Sequence, residues 1–302
     1  MSVSKVKPIV VLLLASALLA ACSTGTSGAA SAANSSDQIN VTVSILPEKY
    51  FVERIGGDYV NVNVMVGPGE EPHTYEPKTD QMTALSNSAI YFSIGVDFES
   101  AWMERISATN PDMQIVDLSA GIEKIAITAS DGDEEAGSPD PHVWTSPENV
   151  KIMSQTIYET LAAADPSHQA EFQANLESFS ADINQLVDDI NANLAGITTK
   201  KFIVFHPAWG YFAHAFGLEQ IAIEIGGSEP SAQELAALID EAKKEDVKVI
   251  FGSPEFSTKA ADYIAQEVNG QVILLDPLAE DWLENLRSVS ATFGEVLNNQ
   301  NG

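Results

Sequence analysis

From Ile39 onward the chain alternates short runs rich in β-branched and aromatic residues with longer stretches in which apolar positions return every three or four residues. That alternation is the pattern of βαβ construction and of mostly parallel sheets. The runs predict strands at Asn40–Ile45, Val60–Val66, Ala89–Ile94 and Gln114–Leu118 in the first half, and at Lys201–Phe205, Gln220–Ile225, Val247–Phe251 and Gln271–Leu275 in the second. The fold class is therefore α/β. Four strands on each side predict two lobes, each a mostly parallel four-stranded sheet with flanking helices. No sequence repeat relates the halves.

Two helix starts lie between them. Ser146-Pro147 places a capping hydroxyl before a proline at the first helical position, and Asp165-Pro166 does the same with a carboxylate. Beyond the second, Phe172, Leu176, Phe179, Ile183, Leu186, Ile190 and Leu194 are spaced by 4, 3, 4, 3, 4 and 4, a single helical stripe. Roughly thirty residues at about 1.5 Å each make a rod of about 45 Å, long enough to run the height of both lobes. Two stacked helices broken near Ser178–Ala181 remain the alternative.

The amino terminus has a different pattern. Lys5 and Lys7 precede an apolar stretch from Ile9 to Ala20, too short to span a bilayer as a helix, and small residues follow. Leu19-Ala20-Ala21-Cys22 resembles a bacterial lipobox, in which the cysteine becomes the lipidated first residue. Ser23–Asp37 has the composition of a flexible tether. The expected organisation is a lipoprotein signal peptide at 1–21, a tether at 22–37, an amino-terminal lobe at 38–165, a backbone helix at 166–196 and a carboxy-terminal lobe at 197–302. Cys22 thus predicts a membrane anchor outside the cytoplasmic membrane.

Charge and cysteine usage narrow the function. With 15 Lys and Arg against 43 Asp and Glu in 302 residues, the net charge is −28, and nucleic acid is excluded as a partner by repulsion. An apolar fraction of 45% is that of a packed globular protein. One cysteine excludes a disulfide framework and any multi-cysteine metal site, so a metal here must use histidine and carboxylate.

Of the five histidines, three sit in proline-containing loops: Glu71-Pro72-His73, Asp140-Pro141-His142 and His206-Pro207. His73 follows the second predicted strand, His206 follows the fifth, and Asp276 closes the eighth. Ligands of open α/β sheets bind at such carboxyl ends. The four residues are 69, 64 and 70 positions apart, so only the fold could gather them, in a crevice between lobes. Three imidazoles and one carboxylate form a sensible tetrahedral set for Zn²⁺, although from spacing alone a single histidine near a strand end is more often a hydrogen-bonded structural residue.

The segments Gly67-Pro68-Gly69-Glu70-Glu71-Pro72-His73-Thr74-Tyr75-Glu76-Pro77, Asp140-Pro141-His142-Val143-Trp144, His206-Pro207-Ala208-Trp209-Gly210-Tyr211-Phe212, Glu229-Pro230-Ser231, Phe256-Ser257-Thr258-Lys259-Ala260 and Asp276-Pro277-Leu278 resemble, in order, those of the metal-binding lipoproteins of zinc and manganese ABC importers, the cluster A-I solute-binding proteins. The resemblance covers the chain from about Ile39 to its end. It implies two α/β lobes joined by one long backbone helix and a metal buried between them. It further implies His73, His142, His206 and Asp276 as ligands, and delivery to a membrane permease. His206, where manganese-type members carry a carboxylate, favours zinc, with Mn²⁺ the alternative. The stretch Asp131–Glu135, where many zinc-type members have a His-rich loop, contains no histidine.

Glu71, Asp140, Glu224 and Glu255 are candidate acceptors for the imidazole N–H groups that face away from a metal. Trp144, Trp209 and Tyr75 are candidate walls. His168 is expected to face solvent and His214 to lie in the core or behind the ligands. The reading that results is capture without turnover by a monomeric protein: no His-Glu-x-x-His helix or Gly-x-Ser-x-Gly turn is present. A secreted zinc hydrolase using Asp276 or Glu255 as base, and an adhesin, are the alternatives.

Overall fold

The computed structural model describes residues 38–127, 137–224, 231–244 and 247–299. Among these described residues, eight strands form two separate four-stranded parallel sheets. The first holds β1 (Ile39–Val43), β2 (Val60–Val64), β3 (Ile90–Ser93) and β4 (Gln114–Asp117) in the order β2-β1-β3-β4. The second holds β5 (Lys201–Val204), β6 (Glu219–Ala222), β7 (Val249–Gly252) and β8 (Gln271–Leu274) in the order β6-β5-β7-β8. The two orders are the same permutation, a topological repeat that the sequence does not display. All eight predicted strands exist. Most stop one or two residues early, although residues just beyond them, such as Leu118, Phe205 and Leu275, still donate a backbone hydrogen bond to the neighbouring strand as the chain turns into the loops.

In each sheet the order reverses beside the first strand of its half, between β1 and β3 and between β5 and β7. Such switch points open a crevice at the strands' carboxyl ends. Helices cover the faces: α1 (Leu46–Gly56), α2 (Thr79–Leu85) and α3 (Asp97–Thr109) in the first half, and α6 (Gly210–Phe216), α7 (Ala232–Lys244), α8 (Lys259–Glu267) and α9 (Trp282–Asn299) in the second.

Between the halves run α4 (Pro147–Ala164) and α5 (Gln169–Asn193). Pro147 opens α4 as expected, although the Ser146 hydroxyl makes no capping bond. The second start differs from the sequence reading. Asp165 accepts from the Ser167 amide and Pro166–His168 forms a 3-10 turn, so the α-helix begins at Gln169. It then runs 25 residues without a break at 178–181, about 38 Å.

Its whole apolar stripe, from Phe172 to Leu194, is buried. At about 1.5–3 kcal/mol per side chain, these seven residues contribute roughly 10–20 kcal/mol of gross burial energy before ordering costs. Polar ties hold α5 to both halves. Arg54 of α1 meets Asp182 at 2.5 Å, and Asn175 donates to the Ile55 carbonyl at 3.0 Å. On the other side Arg287 of α9 bonds Asp189 at 3.0 Å, and Asn193 bonds the Ser290 hydroxyl at 2.9 Å. Gly294 lets α9 approach closely, since a Cβ there would stand 2.2 Å from the Asn193 carbonyl oxygen.

One buried apolar cluster extends from Val41 through α4 and α5 to Leu297, joining the inner faces of both sheets. A second, smaller cluster under α7 and α8 fills the outer face of the second sheet.

Candidate metal centre

The loop after β2 carries His73. Glu71 builds its turn locally, accepting from the His73 amide at 2.6 Å with one oxygen, and from the Thr74 amide and hydroxyl at 3.1 and 2.7 Å with the other. His142 sits in the segment leading to α4. Asp140, fully buried, accepts from both the His142 amide (2.9 Å) and the ring Nδ1 (2.8 Å) through the same oxygen. His206 directly follows the Lys201–Phe205 run, and its Nδ1 meets the Glu224 carboxylate, just beyond β6, at 2.5 Å.

The fold brings these three side chains together. Their ligand atoms lie within 4.8 Å of one another, with Nε2–Nε2 separations of 3.3 Å for His73–His206 and 3.0 Å for His206–His142. Two nitrogens bound to one tetrahedral Zn²⁺ at ~2.0–2.1 Å lie roughly 3.3 Å apart, so the cluster fits the ion almost as it stands. Each Nδ1 has its own carboxylate: Asp97 for His73, Asp140 for His142 and Glu224 for His206. A carboxylate at Nδ1 holds the proton there, which leaves the lone pair on Nε2, and raises the ring's basicity toward a metal. All three lone pairs therefore converge on one point.

Asp97 was not legible as a partner. It follows β3 at the start of α3, and its turn is fixed by buried Glu99, which accepts from the Ile94 and Gly95 amides at 2.9 and 2.8 Å and from the Ser44 hydroxyl at 2.5 Å. The only sequence signal was one more carboxylate near a strand's carboxyl end. Phe256, also missed in this role, stacks on the His206 ring at 4.6 Å.

Asp276 does not join the 4.8 Å group. Its Oδ1 accepts from the Leu278 amide at 2.7 Å and its carbonyl accepts from Asn285 at 2.7 Å. Beside it stands Glu255, which lines the same cavity as the three histidines. Glu255 makes no hydrogen bond to a histidine. Burial, followed by the charge of Asp276, pushes its carboxyl up to about 7.

Of the expected walls only Trp144 lines the cavity, its indole 5.2 Å from the His142 ring. Trp209 packs against Phe212 and Phe293, and Tyr75 against Phe98. His168 is not simply solvent-facing: it stacks on Tyr59 at 3.8 Å and bonds Asp165 at 2.5 Å. His214 is exposed on α6, outside the core. Cys22, the signal and tether, the acidic stretch Asp131–Glu135, Ile225 and Glu229-Pro230 lie outside the described residues.

The environments separate two of the imidazoles. Burial, then the neighbouring His142 and His73 charges, lowers the His206 pKa well below the ordinary histidine value. Burial works in the same direction at His73, but the hydrogen bond and charge of Asp97 outweigh it and raise the ring's pKa. The hydrogen bond from His73 in turn lowers that of Asp97, against burial. His206 is thus held toward the neutral form, whereas His73 is held toward the protonated one.

Comparison with known proteins agrees with this geometry. The family model for the periplasmic component A of zinc-uptake complexes matches residues 41–296. The crystal structure of a ZnuA superposes with a TM-score of 0.82 at 43% identity, covering 86% of this chain and 100% of that one. The zinc-binding lipoprotein AdcA of Streptococcus pneumoniae strain R6 is 26% identical over 252 residues, 80% of this chain and 50% of AdcA. The laminin-binding protein Lmb of Streptococcus agalactiae, an adhesin with metal-transporting activity, shares the fold at a TM-score of 0.76 and 24% identity, over 86% of this chain and 99% of Lmb.

Proposed function

Because this chain belongs to the periplasmic zinc-uptake component A family, we propose that the three converging imidazoles are the seat of its cargo. The protein is the extracytoplasmic zinc-binding component of an ABC importer. In this reading His73, His142 and His206 bind Zn²⁺ through Nε2, and an oxygen from the neighbouring pair Asp276 and Glu255 takes the fourth position. The observation that carries it is the set of Nε2–Nε2 separations of 3.3 and 3.0 Å, each ring backed by a carboxylate.

Three nitrogens and one oxygen favour Zn²⁺ over Mn²⁺, which takes more oxygen. Filling the fourth position with protein leaves no place for the water a catalytic zinc needs, so the centre is one of capture, not turnover. Metal enters by displacing protons from imidazole. Zinc is then handed to the permease of the importer. Among the described residues no helix is long and apolar enough to cross a membrane. Attachment to the membrane through a lipidated Cys22, and action as a monomer, complete the proposal.

The test is elemental analysis of the purified protein, followed by titration of stripped protein with Zn²⁺ against Mn²⁺. One Zn²⁺ per chain, held far more tightly than Mn²⁺ and weakened at least about a hundredfold by His206→Ala, is expected. A preference for Mn²⁺, or zinc binding indifferent to His206→Ala, would overturn it.

A further inference from the structure

A chain of net charge −28 draws in divalent cations without distinction, so the choice among them falls to the centre itself. The cavity around the three imidazoles has a volume of about 20 Å³, room for one ion or one water and no more. Apart from the histidines, Asp97 and Glu255, its lining is apolar, and those two carboxylates are engaged, Asp97 by His73 and Glu255 by Asp276. One wall stands apart from the others. Phe256, on the turn after β7, lies nearly parallel to the His206 ring, at 4.6 Å and 21°, and its centroid is 6.3 Å from that of His73. It is only half-buried, so its ring separates these two histidines from solvent. Phe205, at 6.0 Å, backs it from the smaller apolar cluster.

We propose that Phe256 sets the metal specificity of the centre through coordination number: its ring fills the space in which a fifth or sixth ligand, a water, would stand. The proposal rests on the three-histidine reading above. Zn²⁺ is satisfied by four ligands, and three imidazoles with one carboxylate supply them. Mn²⁺, Mg²⁺ and other oxygen-preferring cations favour octahedral sets and keep part of their water. Against the face of Phe256 such a water has neither volume nor an acceptor for its protons, so these ions must shed hydration that the site does not replace. Stacking also holds the plane of His206, whose Nδ1 is fixed by Glu224, but that role acts on every metal alike. Selection thus resides partly in a side chain that never touches the ion.

The test uses the full chain, stripped of metal, with Zn²⁺ and Mn²⁺ affinities from chelator competition and the visible spectrum of bound Co²⁺, whose intensity falls as coordination rises from four ligands to six. Wild-type protein is expected to give the intense four-coordinate bands, and higher-coordinate bands there overturn the proposal without any variant. Phe256→Ala is expected to lose Co²⁺ intensity severalfold and to narrow the ratio of Zn²⁺ to Mn²⁺ affinity by about tenfold to a hundredfold. Phe256→Leu, which keeps apolar cover without a stacking plane, should keep the bands and most of the ratio. A ratio unchanged in Phe256→Ala, whether both affinities hold or both fall together, means that the ring only positions His206 and overturns the proposal. So does a loss in Phe256→Leu as large as in Phe256→Ala. Failure of the underlying site is separate: there His206→Ala leaves Zn²⁺ and Co²⁺ binding unchanged.

Discussion

The indole of Trp282 donates to the carbonyl of Trp144 at 2.8 Å, while the Trp144 indole donates to the carbonyl of Pro277 at 2.8 Å. Trp144 lies two residues beyond His142, and Pro277 follows Asp276. The exchange therefore straps the loop after β8 to the histidine segment of the other half, and Lys49 of α1 adds an ion pair to Glu280. Trp282 is fully buried against Phe51 and Phe179. Trp282→Phe keeps most of the volume and leaves the Trp144 carbonyl without its donor, at a cost of about 1–3 kcal/mol. Urea unfolding of metal-free protein should show that loss, and an unchanged midpoint would refute the strap.

Proton competition should be set by His73. Its raised pKa brings proton competition in at a higher pH than an ordinary histidine would, whereas the lowered pKa of His206 moves its own competition to lower pH. Asp97→Asn removes the anionic acceptor that raises His73, so the acid limb of the affinity profile should move to lower pH. At pH 8 the same variant should bind zinc about tenfold to a hundredfold more weakly, because the ring loses its orienting partner. An acid limb that stays in place after the substitution would exclude His73 as its source.

Gly210, the first residue of α6, is needed for the Asp140–His142 pair. A Cβ at that position would stand 2.6 Å from Asp140 Oδ2. Gly210→Ala must push the carboxylate away from the two His142 donors it serves. The expected result is a zinc affinity lower by about tenfold to a hundredfold, with overpacking costing about 1–3 kcal/mol. Calorimetric titration and thermal unfolding of the variant measure the two effects separately, and wild-type values in both would count against the contact.

A further prediction concerns Glu48, far from the imidazoles in bonding terms. It is fully buried, its Oε2 accepts from the Ser44 and Ile45 amides at 2.9 and 3.0 Å, and its Oε1 has no partner. Burial first, then the charge of Glu99, raises its pKa well above 4.5, although the two amides oppose the shift. A carboxyl whose folded pKa is raised contributes stability that is fully present below its ordinary pKa and is lost as pH rises through the folded value. Glu48→Gln, which keeps an acceptor for both amides and cannot ionise, should gain on wild type as pH rises from 5 to 8. Melting of the stripped proteins across that range is the measurement, and a constant difference between them would sink the argument.

The strands and the long helix were legible because each rests on a local period: two for a sheet and three to four for the stripe from Phe172 to Leu194. The three histidines were legible as loop residues at strand ends, and the resemblance turned them into a set. What stayed hidden depends on contacts across the chain. Asp97 is 24 positions from His73 in a stretch with no motif of its own, and the Trp282–Trp144 bond spans 138 positions. His168 read as exposed because nothing in its neighbourhood announced that Tyr59, more than a hundred residues earlier, would cover its ring. The matching strand order of the two sheets left no trace, since apolar filling of a sheet face constrains hydrophobicity and not identity.

The positions 73, 142 and 206 also fix a schedule. No two of the imidazoles belong to the same local element, and each needs an acceptor, the last of which is Glu224. On the proposed reading, a chain emerging from the ribosome, or drawn in extended form through a membrane, therefore has no assembled imidazole cluster to hold zinc. The ion can be acquired only after more than two thirds of the chain has been delivered and both sheets have closed on each other. Metal supply in the compartment of synthesis therefore cannot load the three imidazoles of an unfolded chain, and loading can begin only where folding finishes.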